Sequence, residues 1–115
     1  MDKLEKEIEA KFKACMERLG CSVLKFTSPG NAGVPDRLVI LPGGRVLFAE
    51  IKKEGEKLRP LQEKWAERFE RMGVDFMVID SEDAIERAKE VVCYRMPASN
   101  TDFDEDKREM MHFWK

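Results

Sequence analysis

The stretch that most constrains this chain runs from Gly33 to Lys52, GVPDRLVILPGGRVLFAEIK. Two apolar runs, expected as strands over 36–41 and 45–52, flank Pro42-Gly43-Gly44, a turn composition that closes a β-hairpin. The nearly unbroken apolar residues of LVIL and VLFAEI suit strands covered on both faces, as in a sheet flanked by helices. Asp36 opens the first strand, and Glu50 and Lys52 stand near the end of the second. Side chains two apart on a strand share a face, so Glu50 and Lys52 point the same way, and a hairpin can bring Asp36 beside them. Two carboxylates and an ammonium group at one end of apolar strands make a poor core and a good metal site.

The flanking sequence predicts the rest of the architecture. Leu4, Ile8, Phe12, Cys15, Met16 and Leu19 recur at helical spacing over residues 3–19, and Gly20 supplies the stop. SVLKFT (22–27) reads as a strand, SPGNAGVP (28–35) as a loop and EGEK (54–57) as another. Pro60 opens a helix over 60–72 whose buried stripe is expected to be Leu61, Trp65, Phe69 and Met72, and Gly73 ends it. DFMVI (75–79) is a further strand. Ser81 can cap a helix over 82–92 that buries Ala84, Ile85, Ala88, Val91 and Val92. The order is α-β-β-β-α-β-α. Three strands form an antiparallel meander, and the crossover helix lays the fourth parallel to a neighbour. The expected fold class is α/β (α+β), a mixed central sheet flanked by helices. Residues 1–96 are expected to form the domain. The acidic stretch 97–115 is a tail that could pack on it or on a partner subunit.

Charge and cysteine usage narrow the function classes. At 115 residues the chain supports one domain with one core. The net charge is −2, but 100–115 carries five acids against three bases, so the other 99 residues balance at 18 of each sign. Any nucleic-acid contact must therefore come from a local patch and not from bulk charge. No apolar run approaches the ~18 residues of a membrane span, so no membrane partner is expected. The charged start MDKLEKEIEA does not read as a signal peptide. Three cysteines (Cys15, Cys21, Cys93) without metal-binding spacing fit reduced thiols and a cytoplasmic setting. His112, the single histidine, has no evident partner and is assigned no chemistry.

Asp36 and Glu50 would offer oxygen ligands to a hard divalent cation, and the carbonyl of Ile51 between Glu50 and Lys52 a third. Such a cation polarises a phosphoryl oxygen or lowers the pKa of bound water. Lys52 could hold the attacking water or neutralise charge developing on phosphorus. A surface salt bridge between Lys52 and a carboxylate is the alternative that spacing leaves open. Lys52, Lys53, Lys57 and Arg59 make a basic cluster, to which Lys25, Arg37 and Arg45 add, suited to phosphate contacts that set affinity without reading sequence. By periodicity alone, Glu5 and Glu9 are solvated residues beside the first helix's apolar stripe.

In combination, GVPD, an apolar strand, PGG, a second apolar strand, EIK, a basic loop and LRPLQ resemble the VRR-NUC family of the PD-(D/E)xK nuclease superfamily, in its stand-alone phage or bacterial form. KFTSPG matches the family's usual lead-in, and the likeness runs from the first helix to about Ile79. The resemblance implies a restriction-endonuclease-like core and a Mg2+- or Mn2+-dependent endodeoxyribonuclease that needs no nucleotide cofactor. Asp36 and Glu50 would be metal ligands, Lys52 the catalytic lysine, and Gln62 an orienter of water or phosphate. A helix-one glutamate would complete the site. Glu9, eleven residues before Gly20, has a spacing similar to that of archaeal Holliday-junction resolvases, with Glu5 one turn earlier as the alternative. Lys25, Ser28, Lys53, Lys57 and Arg59 would contact DNA. The expected activity is structure-selective cleavage of branched DNA by a homodimer, Holliday-junction-resolvase-like, in a bacterial or phage-infected host cell. Two other readings stand beside it: a flap or nicking nuclease of repair or replication, and a non-catalytic DNA-binding accessory protein.

Overall fold

Asp2 starts the first helix by accepting a hydrogen bond from the Glu5 amide at 2.9 Å, satisfying one of the orphan donors of a helix N-terminus. In the computed structural model, which describes residues 2–97, α1 (Lys3–Arg18) is followed by β1 (Ser22–Lys25), β2 (Arg37–Ile40) and β3 (Val46–Ile51). Then come α2 (Pro60–Arg71), β4 (Asp75–Ile79) and α3 (Glu82–Arg95), whose N-cap Ser81 accepts from the Ala84 amide at 3.1 Å. The element order is the one expected. The tail, with His112, lies outside the described residues from position 98 onward.

The sheet order is β1-β2-β3-β4, antiparallel for the first two pairings and parallel for the third. Register sets the faces. Val39 pairs with Leu47 and Arg37 with Ala49, while Ile51 lies beside Ile79, so these side chains share one face. That face carries the main core: Val39, Leu47, Ala49, Ile51 and Ile79 pack against Phe12, Cys15 and Met16 of α1 and Ala84, Ile85, Ala88 and Val92 of α3. Cys15 and Cys21 are buried members of this cluster and Cys93 is exposed, and all three are free thiols.

The opposite face carries Leu38, Phe48, Glu50, Phe76 and Val78 and belongs to α2. Phe48 stacks on Phe69 with ring centroids 4.7 Å apart, Phe26 meets Phe48 edge-on at 5.2 Å, and Trp65 lies 5.7 Å from Phe69. Here the expected α2 stripe is corrected. Phe69 is buried, but Leu61 and Met72 are 49% and 63% exposed. A single helix covers this face through its middle, so apolar residues at its first turn and its C-cap find no partner surface. Leu4, at the start of α1, is also exposed.

The first turn of α2 is anchored from another side. Gly33 sits at φ +91°, and a Cβ there would come within 2.6 Å of the Leu61 backbone. The Trp65 indole N–H donates to the Ala32 carbonyl at 3.1 Å. The 28–35 loop is thus pressed against α2, which brings the Val34-Pro35-Asp36 segment and Gln62 to one end of the sheet.

Candidate active site

The site lies where β2 begins and β3 ends. Asp36 and Arg37 are consecutive, so their side chains go to opposite faces. Asp36 joins the face of Phe48 and Glu50, which α2 covers, and Arg37 points to the face packed by α1 and α3. The Asp36 carboxylate accepts a hydrogen bond from the Ile51 amide at 3.3 Å. In an extended strand a residue's N–H and C=O point to the same side, so the Ile51 carbonyl also turns toward Asp36. The next amide, Lys52, turns the other way and donates to the Ile79 carbonyl at 3.0 Å, continuing the parallel ladder.

Asp36, Glu50, Lys52 and Gln62 line one cleft of about 440 Å³, together with Glu5, Glu56, Lys57 and Arg59. Glu50, Lys52 and Gln62 are all buried. The Gln62 carbonyl oxygen accepts from the Arg59 amide at 2.8 Å, half of a capping box, which leaves its –NH2 as the end able to donate to a bound phosphate. The Lys52 ammonium lies 3.7 Å from the Glu56 carboxylate.

Burial dominates the electrostatics. It raises the Glu50 carboxyl to about 7, helped by the neighbouring Asp36 charge and opposed by Lys52, Arg59 and Arg37. Asp36 is also raised, by burial first, against the stabilising Ile51 N–H and the Arg37 charge. Two desolvated carboxylates that disfavour each other's ionisation, joined by a strand carbonyl, form an all-oxygen donor set suited to a hard divalent cation. Among the described residues, no three His, Cys, Asp or Glu side chains are already gathered to chelate an ion. The fit rests on the two carboxylates and the Ile51 carbonyl.

The other expected site residues are distributed unevenly. Lys57 and Arg59 are at the cleft, while Lys53 is exposed and lies 3.7 Å from Asp2. Lys25 is exposed on the edge strand, in register with Arg37. The Ser28 hydroxyl accepts from the Asn31 side chain at 2.9 Å within the 28–35 loop. Arg37 is not a surface residue: it is buried, and Arg45 sits at the turn end of the hairpin, away from the cleft. Glu9 is outside the cleft lining. Its carboxylate lies 3.3 Å from the Arg37 guanidinium, and it is Glu5 that reaches the cleft. Glu56 was not anticipated. Its position four residues after Lys52, across the Gly55 turn, was the signal available.

A mixed sheet with helices on both faces, bearing an acid at the start of one strand, Glu-x-Lys at the end of the next and a glutamine on the following helix, defines a nuclease domain of the restriction-endonuclease-like kind. The chain belongs to the VRR-NUC domain family, whose profile matches residues 2–83. A phage protein named "Putative nuclease p44" (Acyrthosiphon pisum secondary endosymbiont phage 1) is 42% identical over 79 residues, covering 69% of this chain and 85% of that protein. A solved structure described as a VRR_NUC domain is 34% identical, with a TM-score of 0.73, covering 77% of this chain and 97% of that one.

Proposed function

We propose that this nuclease is a divalent-metal-dependent, structure-selective DNA endonuclease that cuts branched duplexes, four-way junctions in particular. The observation that carries the chemistry is the convergence of Asp36, Glu50, Lys52 and Gln62 in one cleft with Lys57 and Arg59. Asp36, Glu50 and the Ile51 carbonyl would hold Mg2+ or Mn2+, with Glu5 as the α1 acid that lines the same cleft. When bound, the cation supplies Lewis-acid activation of the scissile phosphate and of water. Lys57 and Arg59 hold the DNA backbone by charge. The Gln62 –NH2 orients the phosphate, and Lys52 offsets negative charge as water adds to phosphorus and one P–O ester bond breaks. The products are a phosphate monoester end and a hydroxyl end.

The preference for branched DNA is supported by what surrounds the site. The described residues are nearly all nuclease core, and the cleft's basic residues contact backbone and carry no base-reading element. Two opposed strands need two active sites, which a two-fold homodimer would supply. No helix among the described residues is long and apolar enough to cross a membrane. The test is cleavage of four-way junctions, flaps and plain duplex by the purified protein in Mg2+, Mn2+ or EDTA. Symmetric junction nicking that needs metal and is lost in Lys52→Ala is the expected result. Cleavage of flaps or nicked duplex alone would replace the junction reading with the flap or nicking one. Binding without metal-dependent cleavage of any substrate would leave a DNA-binding accessory protein. Light scattering that gives a 13.4 kDa particle at working concentration would count against the dimer.

A further inference from the structure

Arg37 is an unusual neighbour for a metal-binding carboxylate. It is 5% exposed and follows Asp36 directly, and its guanidinium donates to the Asp36 backbone carbonyl at 2.9 Å. The same group stands 3.8 Å from the Asp36 carboxylate, already a long ion pair, and a small shift would bring it into direct hydrogen-bond contact. An arginine that closed on Asp36 would occupy the oxygens a divalent cation needs and would repel the cation by charge. What holds it back is Glu9. The Glu9 carboxylate takes both Nη2, at 3.3 Å, and Nε, at 3.4 Å, from the side facing α1.

We propose that Glu9 is a positioning residue that acts through Arg37: it holds the guanidinium toward α1, on the face of the sheet packed by α1 and α3, and neutralises it, keeping the Asp36 carboxylate free for metal. This rests on the reading that Asp36 binds a divalent cation. It gives Glu9 a function that needs no contact with the ion. Glu9 and Glu5 lie one turn apart on the same side of α1, and only Glu5 lines the cleft. The division of labour follows from depth. The first turn of α1 reaches the open end of the site, and the second meets the residue that strand alternation sends to the opposite face.

Suppression distinguishes this role from direct ligation. Mn2+ binding is measured by calorimetry and by the loss of the free-ion electron paramagnetic resonance signal, on the full chain at pH 8, with circular dichroism as the folding control. Glu9→Gln is expected to weaken Mn2+ binding about tenfold, the lower end of what loss of an outer-shell partner costs a metal site. Adding Arg37→Met to Glu9→Gln removes the competitor and is expected to restore affinity to within a few-fold of wild type. Arg37→Lys, which keeps the charge but lacks the planar fork, serves in place of Arg37→Met if that variant misfolds, and should give partial restoration. An equal loss from Glu9→Gln with and without Arg37 would make Glu9 a ligand and overturn the proposal. So would a Glu9→Gln variant that binds Mn2+ like wild type. Failure of wild type itself to bind Mn2+ would overturn the metal reading, and this inference with it.

Discussion

The amide of Ile51 donates to the carboxylate of Asp36 at 3.3 Å, tying the end of β3 to the start of β2. The bond aims one candidate ligand at the strand that carries the other. Asp36→Asn keeps an oxygen that can accept from Ile51 but loses the charge. Because burial raises the Asp36 carboxyl, removing that charge relieves a desolvation cost. The variant is expected to unfold in urea within about 1 kcal/mol of wild type, or to be slightly more stable, at pH 8. Its Mn2+ binding and DNA cleavage should be lost. Retained cleavage would remove Asp36 from the chemistry.

Glu50 predicts how the metal-free protein responds to pH. Its carboxyl lies at about 7 in the fold against 4.5 ordinarily, so the unfolded chain gives up this proton first as pH rises. The contribution to stability is full below about 4.5 and is lost as pH rises through 7. The Asp36 shift acts in the same direction. In EDTA the melting temperature should fall between pH 5 and pH 8. Glu50→Gln should flatten that fall and be the more stable protein at pH 8. Added Mn2+ should raise the pH 8 melting temperature of wild type but not of the variant. An unchanged pH slope in Glu50→Gln would place the burden elsewhere.

Gly33→Ala tests the seam between loop and helix. The alanine would have to adopt φ +91° with its Cβ 2.6 Å from the Leu61 backbone. Left-handed backbone costs roughly 1–2 kcal/mol and overpacking another 1–3. A loss of about 2–5 kcal/mol in urea unfolding is expected, with cleavage reduced further because the seam sets the distance from Asp36 to Gln62.

α2 offers a paired comparison. Phe69→Ala removes the centre of the Phe48–Phe69–Phe76 cluster and should cost about 3–5 kcal/mol. Met72→Ala, at an exposed C-cap, should stay within about 0.5 kcal/mol. Equal losses would mean that α2 is buried along its whole length, as in a partner interface.

Lys57 and Arg59 line the cleft and are exposed, outside the hydrophobic core, and phosphate contacts made by them should appear in salt dependence. Replacing both by alanine is expected to weaken binding to all DNA structures alike. It should reduce the slope of log affinity against log salt by about 2, each duplex phosphate contact contributing about 0.9. A loss confined to junctions would show that they read shape instead.

Much of this protein is decided by residues close together in the chain. The two strands, their turn and the alternation that puts Glu50 and Lys52 on one side of β3 are short-range properties, so the hairpin and its acidic end were legible from Gly33 to Lys52 alone. Pro60 at the first position of α2 and the Ser81 cap of α3 set helix starts for the same reason. Other features required the tertiary structure. Glu5 and Glu9 have the same helical phase, and periodicity cannot separate residues one turn, about 5.4 Å, apart along an axis. Only the docking of α1 against the far face of the sheet sends Glu5 to the cleft and Glu9 to Arg37. Arg37 looked like a surface cation because its partner lies 28 residues away in sequence. Leu61 and Met72 matched an apolar stripe that the sheet is too narrow to cover from end to end. Local pattern chose the elements and the candidate ligand pair, whereas contacts between distant segments chose which charges meet there.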